Sequence, residues 1–119
     1  MNYQQALQII HSTNNFSAKP GLSRISELCN KLGNPQKDIK FIHVAGTNGK
    51  GSTVTMIARA LEDAGFKVGK FTSPYVFDFR ERIEINGQMI EKDQLVKHTQ
   101  TVVQACNEMT EKPTEFEVV

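Results

Sequence analysis

An α/β fold with a mainly parallel sheet flanked by helices is predicted by three consecutive features of this chain. The first is a short apolar run at 41–45, whose β-branched and aromatic residues are typical of a buried parallel strand. The second is a glycine-rich loop at 46–51, and the third is a helical pattern that begins at Ser52 or Thr53. A strand, a glycine loop with a lysine and a helix, in this order, are the layout of a phosphate-binding loop.

The residue types in the loop fit that chemistry. Gly46, Gly49 and Gly51 let the backbone turn its N–H groups toward an anion, and the following helix adds its own unpaired N–H groups. Lys50 adds a mobile positive charge for the outer phosphates, and the hydroxyl of Ser52 is placed to reach magnesium. A glycine-rich turn with an incidental lysine is the alternative, and the order of the features favours phosphate binding.

The loop departs from the common G-x-x-x-x-G-K-[ST] pattern at two positions. Val44 stands where the first glycine of that pattern is expected. Gly51 separates Lys50 from the first hydroxyl, Ser52.

The rest of the chain is predicted to alternate between helices and short strands. Asp93 is expected to cap the fourth helix, and Asn86-Gly87 is a turn signal within a hairpin. A strand, a helix and a second strand around the loop form a predicted βαβ unit, in which His43 is a packed strand residue. The predicted elements are helices at 2–12, 22–32, 52–64 and 93–109, a loop at 12–21, a second strand at 67–72, an irregular segment from 73, a small hairpin or a lone strand with a turn at 82–90, and the start of a helix at 114.

The composition narrows the functional classes. The 119 residues contain 14 Lys and Arg against 13 Asp and Glu, so a net charge of +1 gives no argument for nucleic-acid or membrane partners. There is no apolar run of about 18 residues and no signal-peptide pattern, and we expect a cytoplasmic protein. Cys29 and Cys106 lie on apolar helical faces and are predicted to be buried free thiols.

Four segments together resemble folylpolyglutamate synthases and dihydrofolate synthases, a branch of the Mur ligase superfamily. Residues 45–52, AGTNGKGS, resemble the nucleotide loop of that branch, and Gly51 after the lysine favours it over other Mur ligases. The other three segments are KPGL at 19–22 ahead of Arg24-Ile25, FTSP at 71–74 followed by ERI at 81–83, and TEFE at 114–117. They occur in the order typical of the family and cover almost the whole chain.

The resemblance implies a role for each matching residue. Lys50 is the implied catalytic residue, and Ser73 is the implied magnesium ligand. The implied ATP-phosphate residues are Gly46, Thr47, Asn48, Gly49, Lys50, Gly51, Ser52 and Thr53, and the implied folate residues are Pro20, Gly21, Leu22, Pro74, Tyr75, Arg82 and Phe116.

Three of these residues also have purely structural interpretations. Ser73 before Pro74 could simply end a strand. Arg82 could be a solvated charge paired with Glu81 or Glu84. Phe116 could be a core residue.

The resemblance implies an incomplete Mur-ligase-type central domain, in which residues 1–119 form the N-terminal part of the ATP-binding domain and the C-terminal domain is absent. The implied reaction is the MgATP-dependent addition of L-glutamate to a folate through an acyl phosphate, by an enzyme that is monomeric at full length. The acceptor is tetrahydrofolate or dihydropteroate, and the chain alone is expected to be inactive. Two alternatives stay open: a cell-wall Mur ligase that uses a UDP-sugar peptide, and a catalytically silent nucleotide-binding module.

Overall fold

The computed structural model describes residues 1–13 and 18–119, so part of the predicted loop at 12–21 lies outside the described residues. The described residues divide into two units, Met1–Lys40 with Asp93–Val119, and Phe41–Lys92. No helix among them is long and apolar enough to cross a membrane. The elements are α1 Tyr3–Ser12, α2 Ser23–Lys31, a 3₁₀ helix Pro35–Asp38, α3 Lys50–Asp63, β1 Gly69–Phe71, a 3₁₀ helix Phe79–Arg82, β2 Ile83–Ile85, β3 Gln88–Met89, α4 Lys92–Asn107 and α5 Glu115–Val118.

The helices of the first unit begin and end at residues that local chemistry explains. Asn2 caps α1: its side chain accepts from the N–H of Gln5 at 2.9 Å, and the Gln5 side chain accepts from the N–H of Asn2 at 2.8 Å. After α2 the chain turns at Gly33, whose φ of 84° favours glycine. Asp93 lies in the first turn of α4 instead of capping it, because α4 already begins at Lys92.

The core of the first unit joins α2 and α4. Leu28 packs with Ala105 and Met109, and all three are buried. Around them lie the half-buried side chains of Ile25, Leu32, Val102 and Cys106. The predicted helical faces are therefore confirmed, although both cysteines are free and half-buried instead of fully buried.

Helix α3 is the first helix or strand of the second unit. It begins at Lys50, two residues before the earlier of the two predicted starts. It ends at Asp63, and the chain turns at Gly65 as predicted: the N–H of Gly65 donates to the carbonyl of Glu62 and that of Phe66 to the carbonyl of Leu61. The apolar residues at helical spacing predict an inward face made of Val54, Ile57, Ala58, Leu61 and Ala64. Of these, Ala58 is buried, Val54, Ile57 and Leu61 are half-buried, and Ala64 is exposed.

The sheet of the second unit is antiparallel, in the order β1-β2-β3. Phe71 pairs with Ile83 across β1 and β2. Asn86 and Gly87 have φ values of 49° and 77°, which are typical of a type I′ hairpin turn between β2 and β3. The second strand and the hairpin are thus confirmed, but the predicted parallel βαβ unit is wrong for these strands.

The predicted buried strand at 41–45 is also wrong. Phe41 and Ile42 are 69% and 64% exposed, and His43 is exposed and not packed. A strand forms only where a neighbour satisfies its N–H and C=O groups, and no strand in the described part of the chain pairs with this run.

Candidate nucleotide-binding and substrate-binding residues

The predicted phosphate-binding loop is an exposed loop that runs directly into α3. All eight residues from Gly46 to Thr53 are exposed. Gly49 is the N-cap of α3, with a φ of 78°, and the first N–H groups of the helix have no partner within it. These groups, together with the positive end of the helix dipole, form an arrangement that suits an anion.

Gly51 is the glycine of this loop that the chain's own backbone and packing do not explain. It lies inside α3 at a helical φ, where alanine would be more stable by about 0.5–1 kcal/mol. A Cβ atom built on Gly51 meets no atom within 4 Å, so no neighbour within this chain requires glycine. The open space above Gly51 fits the close approach of a ligand to the backbone.

Lys50 is held within the loop itself. Its ammonium group donates to the carbonyl of Gly46 at 3.1 Å, which bends the side chain back over the glycines. The hydroxyl of Thr53 donates to the carbonyl of Gly49 at 2.8 Å, so it reinforces the first turn of α3. Ser52, one residue earlier, is exposed as well.

The implied magnesium ligand, Ser73, is exposed in the segment after β1. Among residues 1–13 and 18–119, no group of three or more His, Cys, Asp or Glu side chains could hold a metal ion. A single hydroxyl fits Mg²⁺ only as one ligand beside phosphate oxygens and further groups, which is how proteins commonly bind this ion.

Arg82 is the most unusual residue of the second unit. It is 8% exposed, and its guanidinium carbon lies 5.5 Å from the ring centroid of Phe71 and 5.4 Å from that of Phe79. The predicted pairing with Glu81 or Glu84 does not occur, because Glu84 pairs with Lys70 at 2.8 Å and Glu81 binds backbone N–H groups. Within the described residues the Nε of Arg82 is buried without a hydrogen-bond partner, which is rare for a buried polar group.

Glu81 organises the segment before Arg82. Its carboxylate accepts from the N–H groups of Asp78, of Val76 at 3.0 Å and of Phe77 at 2.8 Å. These hydrogen bonds, that of Asp78 first, hold the pKa of Glu81 below its usual value. The sequence interpretation missed this role, although the spacing of Asp78 and Glu81 is that of a capping box.

Pro74 and Tyr75, the other implied folate residues of this unit, are both exposed. The Tyr75 ring meets Phe79 edge-on, with 5.7 Å between the ring centroids. Phe79 therefore contacts both Tyr75 and Arg82, and it joins two of the three implied folate residues of this unit.

The remaining implied folate residues belong to the first unit. Pro20, Gly21 and Leu22 are exposed just before α2, and Phe116 lies in α5. Phe116 is 66% exposed, so its interpretation as a core residue is wrong. The structure thus places the predicted site residues in separate segments of both units.

Solved structures similar to this chain are folylpolyglutamate synthetases. The enzyme from Lactobacillus casei superimposes with a TM-score of 0.93 at 39% identity, over 99% of this chain and 31% of that one. An FPGS–AMPPCP–folate complex gives a TM-score of 0.94 at 39% identity, over 99% of this chain and 30% of that one. The chain therefore has the α/β fold of a Mur-ligase-type domain, present in part.

Sequence similarity identifies the branch of the Mur ligase superfamily to which the chain is related. The dihydrofolate synthase/folylpolyglutamate synthase of Bacillus subtilis is 48% identical over 122 residues, which cover 98% of this chain and 28% of the relative. No protein-family model matches the chain. The chain is homologous over nearly its whole length to part of the folylpolyglutamate synthases and dihydrofolate synthases, and it spans less than a third of their length.

Proposed function

We propose that the full-length protein is an ATP-dependent ligase that adds L-glutamate to a folate, and that this chain is the N-terminal part of its ATP-binding domain. The observation that carries the proposal is the open glycine loop at the start of α3, where Gly51 has no conformational or steric reason to be glycine. The homology to folylpolyglutamate and dihydrofolate synthases supports the choice of acceptor.

The exposed loop residues have the chemistry to bind the nucleotide. N–H groups at the start of α3 bind phosphate oxygens, and the ammonium group of Lys50 leaves the Gly46 carbonyl to balance negative charge that develops there. Ser73 contributes one hydroxyl to the magnesium ion. When bound, MgATP supplies the phosphoryl group that activates the folate carboxylate, and the amine of glutamate then displaces phosphate from the activated carboxylate to form the amide.

The acceptor folate has anionic carboxylates and flat aromatic rings, and the chain offers partners for both. Arg82 is the buried cation for a carboxylate, because no carboxylate of the described residues satisfies its Nε. In the same unit as Arg82, the exposed Tyr75 is an apolar surface for a ring, while Leu22 and Phe116 of the other unit are folate residues by resemblance alone. Free thiols at Cys29 and Cys106 support a reducing compartment, and we propose the cytoplasm.

A steady-state assay of the full-length protein tests this function. ADP should form only when MgATP, a reduced folate or dihydropteroate, and glutamate are all present. Lys50→Met should abolish turnover, while Lys67→Met, which removes an exposed lysine of the same unit, should leave it unchanged. Turnover with a UDP-sugar peptide in place of folate would overturn the proposal in favour of a cell-wall ligase.

A further inference from the structure

Arg24 and Glu117 form an ion pair between α2 and α5. The Nε of Arg24 donates to Oε2 of Glu117 at 3.1 Å, and the two side chains are only 7% and 12% exposed. The Nη1 of Arg24 also lies 3.5 Å from Oε1 of Glu111. The sequence interpretation missed this pair because 93 residues separate its members.

The pair connects α2 to the start of α5. Helix α5 spans Glu115–Val118, and Thr114 is its N-cap. Oε2 of Glu117 accepts from the N–H of Thr114 at 2.9 Å as well as from Arg24. Burial raises the pKa of Glu117, but the hydrogen bonds from Arg24 and Thr114 outweigh it and leave this pKa lowered.

Exposed apolar residues lie beside both ends of the pair. Leu22 is two residues before Arg24 and is 76% exposed, and Phe116 directly precedes Glu117. A nearly buried ion pair is a poor device for stability alone, since apolar residues of similar volume often stabilise as well. The planar guanidinium of Arg24 does, however, fix the orientation of the side chains that it binds, because its N–H groups donate along defined axes.

We propose that Arg24 and Glu117 are positioning residues that hold Leu22 and Phe116 in place for a flat aromatic heterocycle of the acceptor. This inference rests on the proposed function and deepens it. Neither charged group touches the acceptor: Arg24 orients the segment at Leu22, and Glu117 orients α5. Loss of the pair should therefore weaken acceptor binding while nucleotide binding persists.

The test compares full-length variants by separate KM values for folate and ATP. Arg24→Met and Glu117→Gln should each raise the KM for folate about tenfold or more, with the KM for ATP and kcat within about twofold. Arg24→Lys keeps the charge without the planar fork and should rescue part of the effect. Arg59→Met, which breaks an exposed ion pair with Asp63 on α3, is the matched control and should change nothing.

The double variant Arg24→Met with Glu117→Gln should be no worse than either single variant, because both remove one interaction. Equal changes in both KM values, or an unchanged folate KM, would overturn the positioning role. If Arg24→Met fails to fold, the KM values for folate and for ATP of Arg24→Lys and Glu117→Gln test the positioning role instead. A wild-type protein without folate-dependent ADP formation would instead refute the proposed function.

Discussion

Alanine at Gly49 and alanine at Gly51 should change the stability of α3 in opposite directions. At Gly49 the φ is 78°, and a Cβ atom would meet nothing within 4 Å, so only backbone conformation opposes the substitution. The left-handed conformation costs an L-residue about 1–2 kcal/mol. Alanine also restricts the unfolded chain, which offsets about 0.4–1 kcal/mol. We expect Gly49→Ala to lower the free energy of unfolding by about 1 kcal/mol.

Gly51→Ala is the matched control two residues along the same loop. Its Cβ also meets nothing within 4 Å, but its φ is helical, so alanine should stabilise α3 by about 0.5–1 kcal/mol. The two variants should therefore differ by about 2 kcal/mol although the chemical change is identical.

Urea unfolding and amide hydrogen exchange of the full-length protein measure both effects. Exchange of the amides at 54–57 should become roughly fivefold faster in Gly49→Ala and slower in Gly51→Ala. If Gly49→Ala is as stable as Gly51→Ala, the left-handed turn at the start of α3 is wrong. If Gly51→Ala binds AMPPCP as tightly as the wild type does, our explanation of the open space at Gly51 fails.

Three further predictions concern packing, pH and the hairpin. Leu28→Ala should lower the free energy of unfolding by about 2–5 kcal/mol because it opens a cavity in the core. Leu22→Ala, at an exposed position, should change this free energy by less than about 0.5 kcal/mol. Urea unfolding midpoints of the two variants measure the difference. Glu81 has a lowered pKa, so its contribution to stability is present above its ordinary pKa of about 4.3 and is lost as the pH falls through the lowered value. Urea midpoints between about pH 3 and pH 7 should show this loss in the wild type and a smaller one in Glu81→Gln. Gly87→Ala should destabilise the protein by about 1 kcal/mol, by the same balance as Gly49→Ala, because its φ is 77° and its nearest contact, Oε2 of Glu62, is 3.9 Å from the added Cβ. Thermal unfolding measures this, with Lys67→Ala as a surface control; equal Tm values for the two variants would contradict it.

Elements with local causes could be predicted from the sequence. The ends of α2 and α3 follow from Gly33 and Gly65, and the hairpin follows from Asn86-Gly87. These features depend on residues within about four positions of each other, where spacing and side-chain type are sufficient. For the same reason the glycine loop before α3 was visible, since an anion site made of N–H groups needs glycines and a helix start in sequence.

Features that depend on distant partners could not be predicted in this way. The apolar run at 41–45 has the composition of a strand, but composition does not supply a neighbouring strand. The structural alternative for Arg82 was a solvated charge paired with Glu81 or Glu84. Instead, Glu84 binds Lys70 across the sheet, and the guanidinium of Arg82 lies near two phenylalanine rings.

The sequence by itself determined the helices, the hairpin turn and the glycine loop, because each is specified by hydrogen bonds and backbone angles of nearby residues. Only the tertiary structure decided that Phe41 and Ile42 are exposed, that Arg82 has no carboxylate partner within the described residues, and that Arg24 meets Glu117. Such outcomes depend on which groups compete for the same partner once distant segments pack together, and spacing along the chain does not contain that information.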